Sequence, residues 1–121
     1  MSGRRDDSLV LDDILDAAER LVSLWTDAGE TLGSDRAIDD QVLWNLTVIG
    51  EATKRLGLAV RERYADVPWP KMTRMRDRVV HHYEGVDWAI VASTLTVELP
   101  PMLPRLREIR DELRRQADAS R

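Results

Sequence analysis

Residues 74–85, RMRDRVVHHYEG, gather three arginines, both histidines of the chain and one of its two tyrosines. An imidazole can take or give a proton near neutral pH, while a guanidinium keeps its charge and can stabilise charge building on phosphate oxygens. Arg76 and His81 are therefore suited to phosphodiester chemistry. RNA carries its own nucleophile, the 2′-OH, so such a pair could cleave it without a metal. Asp77 stands four positions before His81, and on a helix its carboxylate would hold one imidazole nitrogen, fix the tautomer and favour the imidazolium. Lys71, Arg74 and Arg78 add positive charge for RNA phosphates. A bland reading fits the same residues. Short arginine clusters on helices are commonly solvated ion-pair networks, and the helix dipole alone favours a histidine near a C-terminus. On local chemistry, that bland reading is the better supported.

A metal centre on His81 and His82 has the least support. Adjacent helical residues point about 100° apart, and the chain holds neither a third histidine nor any cysteine to complete a shell. The sequence thus implies no metal and no cofactor.

The elements that must position these residues follow from composition and period. A chain of 121 residues is long enough for one modest core, so residues 1–121 read as a single helical domain with frayed ends near 1–7 and 117–121. Without cysteine there are no disulfides. No apolar run approaches the roughly 18–20 residues of a membrane span, and MSGRRDD leads into no apolar signal region; the expected compartment is the cytoplasm. A net charge of −4 argues against broad electrostatic binding of nucleic acid, leaving only a local patch. The four tryptophans are spread at 25, 44, 69 and 88, which suits core packing or an oligomer interface better than a stacking platform.

Apolar residues recur at three and four throughout, so the fold class is all-α: a bundle of four to five main helices. Leu11, Ile14, Leu15, Ala18, Leu21, Val22 and Trp25 predict a first helix from Ser8 to Ala28. Ser34 or Asp35 can cap a second, whose face is Ile38, Val42, Leu46, Ile49, Ala52 and Leu56, with Asn45 and Glu51 near its edges and Gly57 as the residue that ends it. LAVRERYAD makes a short helical piece. Pro70 opens a third main helix reaching to Tyr83, on which Met72, Met75, Val79 and Tyr83 face inward with Arg76 beside them. Gly85 stops that helix, and Asp87 caps the next, DWAIVASTLTVEL. Pro100, Pro101 and Pro104 predict a break or kink before RLREIRDELRRQ. No stretch alternates as a strand would.

Arg76, four residues, His81, one residue and Tyr83, in an all-α chain of this size, resemble the Arg-x4-His-x-Tyr signature of the HEPN superfamily, in particular its HepT-like toxin ribonucleases. The similarity extends through NLTVIGEATKRL, RYADVPWPKMTRMRDRVVHHYEGVDWAIV and LPPMLPRL, and so covers the chain from about Asp12 to Arg107. It reverses the balance between the two readings of the basic stretch.

The resemblance implies a homodimeric helical bundle in which Arg and His from both subunits meet at the two-fold axis, acting as a metal-independent ribonuclease and as the toxin of a toxin–antitoxin pair. The implied partner is a minimal nucleotidyltransferase antitoxin, which transfers AMP from ATP to the motif tyrosine. Carried over, Arg76 and His81 are the catalytic pair, Asp77 supports them and Tyr83 is the AMPylation site. Asp77 departs from the asparagine common at that position and alters the charge beside the pair. His82 stands where the family often has glycine; it is a second proton donor or only an exposed side chain. Glu51 matches a helix-two position that faces the motif helix in one reading and solvent in the other. A dimer would also give Trp44 or Trp88 a place to bury apolar area. Two alternatives stand beside this: a non-catalytic helical module that partners a nucleotidyltransferase, and a plain helical dimerisation domain.

Overall fold

The structure, a computed structural model, describes residues 6–81 and 85–120, with the backbone alone for His81. It is an all-α bundle. Helix α1 spans Asp7–Ala28 and is capped by Asp6, whose carboxylate accepts from the Ser8 amide. A 3-10 turn, Gly29–Thr31, leads to α2, Arg36–Lys54, where the Asp35 carboxylate accepts from the Ala37 and Ile38 amides. Short helices α3, Leu58–Arg63, and α4, Trp69–Thr73, follow. After α5, Trp88–Ser93, capped by Asp87 through the Ile90 amide, come a π turn at Thr94–Glu98, a 3-10 turn at Pro100–Met102 and α6, Leu103–Ala119.

The apolar faces read from the period are the ones that meet. Leu11, Ile14, Leu15 and Leu21 of α1, Val42, Leu46 and Ile49 of α2, and Leu106 and Ile109 of α6 are fully or almost fully buried in one core. Helix α1 is the spine, packed against both α2 and α6. Ion pairs edge the α1–α6 seam: Asp12 faces Arg110 and Arg114, and Glu19 faces Arg107. Gly57 does not end α2, which stops at Lys54 with Arg55 as its C-cap. Gly57 has φ −61° at the start of α3, and its amide donates to the Asp7 carboxylate at 3.1 Å.

The third main helix is the larger correction. It stops at Thr73, ten residues short of Tyr83. Residues 74–79 continue as hydrogen-bonded turns, with the Arg78 amide donating to the Arg74 carbonyl and the Val80 amide to the Arg76 carbonyl. The chain then extends into β1, Val80–His81, antiparallel to β2, Gly85–Val86, with Val80 opposite Val86 and His81 opposite Gly85. The expectation of no strand is therefore also wrong, though each strand is only two residues long. Local and distant causes combine. Val79 and Val80 are β-branched and favour extended backbone. Gly85 adopts φ +81°, which glycine takes without strain. The Asp87 amide closes the element by donating to the Val79 carbonyl at 2.7 Å.

Candidate active site

The site is built where α2 meets the chain leaving α4. Gly50 makes the approach possible: a Cβ there would lie 3.0 Å from the Thr73 carbonyl oxygen, closer than side chains normally tolerate. The Thr73 hydroxyl donates back to the Pro70 carbonyl at 2.7 Å, within the turn that ends α4. The inward residues Met72, Met75 and Val79 are buried as the sequence predicts, so Arg74, Arg76 and Asp77 stand outward between them. Beside this turn runs a stripe of α2 at helical spacing, Trp44, Thr47, Glu51 and Lys54.

Together they enclose a cleft of about 350 Å³ lined by Trp44, Thr47, Gly50, Glu51, Lys54, Thr73, Arg76 and Asp77. That volume is at the lower end of the roughly 300–1,000 Å³ usual for ligand clefts. The Arg76 side chain is about half exposed (49%) and only loosely held by Asp77, at 4.0 Å. Glu51 pairs with Lys54 at 3.3 Å. Of the two positions open to Glu51 in the sequence, the structure places it on the rim shared with Arg76, exposed to solvent on the same face. Among the described residues no group of His, Asp or Glu side chains is placed to hold a metal ion.

The remaining cations are divided. Arg74 is exposed. Lys71 and Arg78 converge on Glu98: the Lys71 Nζ lies 2.7 Å from its carboxylate, and Arg78 donates through two nitrogens at 2.9 and 3.2 Å. Arg78 first and Lys71 second hold the Glu98 carboxyl far below its ordinary 4.5, at about 2. Sequence reasoning passed over Glu98. The available signal was its isolation, as the one acid between Asp87 and Glu108.

The helical geometry proposed for Asp77 and His81 fails with the helix itself, because His81 lies on β1. The His81 side chain, His82 and Tyr83 lie outside the described residues. Of the tryptophans named for a dimer interface, Trp88 is used within the chain, its ring 3.0 Å from where a Cβ on Gly33 would sit. Trp44 is 64% exposed.

Comparison with known proteins places the chain in a family. The family model described as "Ribonuclease HepT-like" matches residues 14–109. A protein of Methanocaldococcus jannaschii named as a candidate RNase is 32% identical over 111 residues, covering 91% of this chain and 96% of that protein. The Thermococcus cleftensis protein named "Probable ribonuclease HepT" is 29% identical over 101 residues, covering 83% and 92%. A further M. jannaschii protein, whose name joins a gamma-glutamylcyclotransferase to an RNase, is 29% identical over 91% of this chain but only 50% of its own length. No solved structure matches the chain. With the Arg-x4-His-x-Tyr residues at 76, 81 and 83 and a family match across most of its length, this chain belongs to the HepT-like ribonucleases of the HEPN superfamily.

Proposed function

We propose that the chain is a metal-independent endoribonuclease that cuts at Arg76 and His81. The observation that carries this is Arg76, half exposed and weakly paired in a cleft, five positions before the motif histidine in a chain of this family. In the step envisaged, His81 takes the proton of the ribose 2′-OH as its oxygen bonds to phosphorus. The P–O5′ bond breaks, a second acid (the His81 of another copy) returns a proton to the 5′ oxygen, and a 2′,3′-cyclic phosphate is left. Arg76 stabilises the charge on the equatorial oxygens. Asp77 supports the arginine, and Lys71, Arg74 and Arg78 serve the RNA backbone. Arg74 is exposed and pairs with no acid among the described residues, whereas Lys71 and Arg78 must share themselves with Glu98.

The wider reading completes the pair: a homodimeric toxin, neutralised by a cognate minimal nucleotidyltransferase antitoxin that AMPylates Tyr83. Family membership and the intact tyrosine support it. The first test is cleavage of RNA by the purified protein. Arg76→Ala or His81→Ala is expected to lower the rate at least about a hundredfold with the helical content unchanged, and EDTA to leave the wild-type rate as it was. Activity abolished by EDTA, or a His82→Ala variant as damaged as His81→Ala, refutes this assignment of roles.

A further inference from the structure

Trp44 stands apart from the other tryptophans. Trp69 is buried and donates its indole N–H to the Tyr64 carbonyl at 3.0 Å, Trp25 and Trp88 pack against the core, and only Trp44 presents most of its ring to solvent, at the wall of the Arg76 cleft. We propose that this cleft is a nucleobase subsite, in which an unpaired RNA base stacks on Trp44 while the adjoining phosphate meets Arg76; it rests on the ribonuclease reading above and names what that site holds.

The surroundings of Trp44 favour a base over a second protein surface. Interface cores are depleted of charge and rich in apolar and aromatic neighbours. Here the ring is bordered by Thr47, Glu51, Lys54, Arg76 and Asp77. The other exposed large apolar residues among those described, Leu9, Leu58 and Val97, lie on α1, α3 and the π turn and none lines this cleft. Among the described residues this is a single aromatic face ringed by hydrogen-bonding groups, which matches a stacked base, whose face is apolar and whose edge is polar. The charge supports the same conclusion. Among the described residues lining the cleft, Lys54 and Arg76 are offset by Glu51 and Asp77, so these four carry no net formal charge and do not capture phosphate by charge alone. Stacking must supply much of the affinity, and salt should weaken binding only shallowly. The two carboxylates are acceptors suited to the exocyclic amino groups of cytosine and adenine. Uracil offers no such group.

The test uses the full chain and single-stranded 2′-O-methyl oligonucleotides of C, A and U, which lack the nucleophile and cannot be cut, with tryptophan fluorescence and anisotropy as readouts. Unmodified RNA of the same sequences is assayed for cleavage in parallel. Oligo(C) and oligo(A) should bind more tightly than oligo(U). Trp44→Leu should weaken binding roughly 5- to 150-fold, the loss of one stacked base, and raise KM for cleavage, while Trp44→Tyr should restore most of both. If the wild type cleaves RNA and Trp44→Leu binds and cuts equally well, the subsite is refuted and the ribonuclease reading stands. Trp44-dependent binding without any cleavage supports the subsite and removes that reading. Neither binding nor cleavage refutes both. Should Trp44→Leu turn a dimer into a monomer in sedimentation, the ring is covered by a second copy and the subsite is refuted.

Discussion

Tyr64 shows how burial decides what a tyrosine can offer. The ring of Tyr64 is buried between the guanidiniums of Arg63 and Arg105, 5.2 and 5.5 Å from its centroid. Its backbone carbonyl is taken by the Trp69 indole. Tyr64 is therefore closed to an enzyme that must reach a phenolic oxygen, and the proposed regulation assigns the acceptor role to the motif tyrosine, Tyr83. With the cognate nucleotidyltransferase, ATP and magnesium, the mass of the protein should rise in steps of one adenylate. Tyr83→Phe should abolish the increase and escape neutralisation. Adenylates found on Tyr64, or inhibition without any change in mass, would leave neutralisation by binding alone.

Among the elements, the π turn has the most to explain. Pro100 and Pro101 have no amide hydrogen to continue the helical ladder, and a proline ring clashes with the carbonyl four residues back. The preceding turn widens, with the Leu99 amide donating to the Thr94 carbonyl at 2.9 Å, and the Thr94 and Thr96 hydroxyls donate back to Ile90 and Ala92. From this turn Glu98 reaches Lys71 and Arg78 and ties the turns after α4 to the C-terminal half. The Glu98 carboxyl is depressed from 4.5 to about 2, so its contribution is complete above the unfolded value and is lost as pH falls through the folded one. Wild-type protein should therefore lose a stability advantage over Glu98→Gln between about pH 4.5 and about pH 2, amounting to at most about 3 kcal/mol. Urea melts of the two proteins across that range measure it. A difference that stays constant with pH would mean that the ion pairs add nothing to the fold.

For the whole molecule, the proposed chemistry asks for more than one chain. A single copy brings one Arg76 to its cleft, whose described lining charges cancel, and two-fold pairing would bring two Arg76–His81 sets together on one self-complementary surface. Sedimentation at micromolar concentration should give a dimer. A monomer alone under those conditions would count against a shared site and leave each cleft to act by itself. No helix among the described residues is long and apolar enough to cross a membrane.

Most of the bundle was legible in the sequence because helical period is local information. Apolar spacing along α1 and α2 names residues that are buried or, as with Val22, Trp25 and Ile38, partly buried against the core, and Asp35 and Asp87 cap the helices they were expected to cap. The Arg-x4-His-x-Tyr spacing and its flanking blocks identified the family, since a family pattern is written in the order of residues. What the order of residues did not decide was the course of the motif itself. Its inward residues Met72, Met75 and Val79 keep helical spacing, yet the helix ends at Thr73. Contacts outside the helical period set its path: Gly50 of α2 lies against the Thr73 carbonyl, Val86, six positions on, pairs with Val80, and Glu98 draws on Lys71 and Arg78. Trp44 and Arg76, thirty-two positions apart, likewise share a cleft only because α2 packs on α4. Local period carries no information about which distant partner will compete for a backbone carbonyl or a charged side chain, and in this protein those partners shape the site.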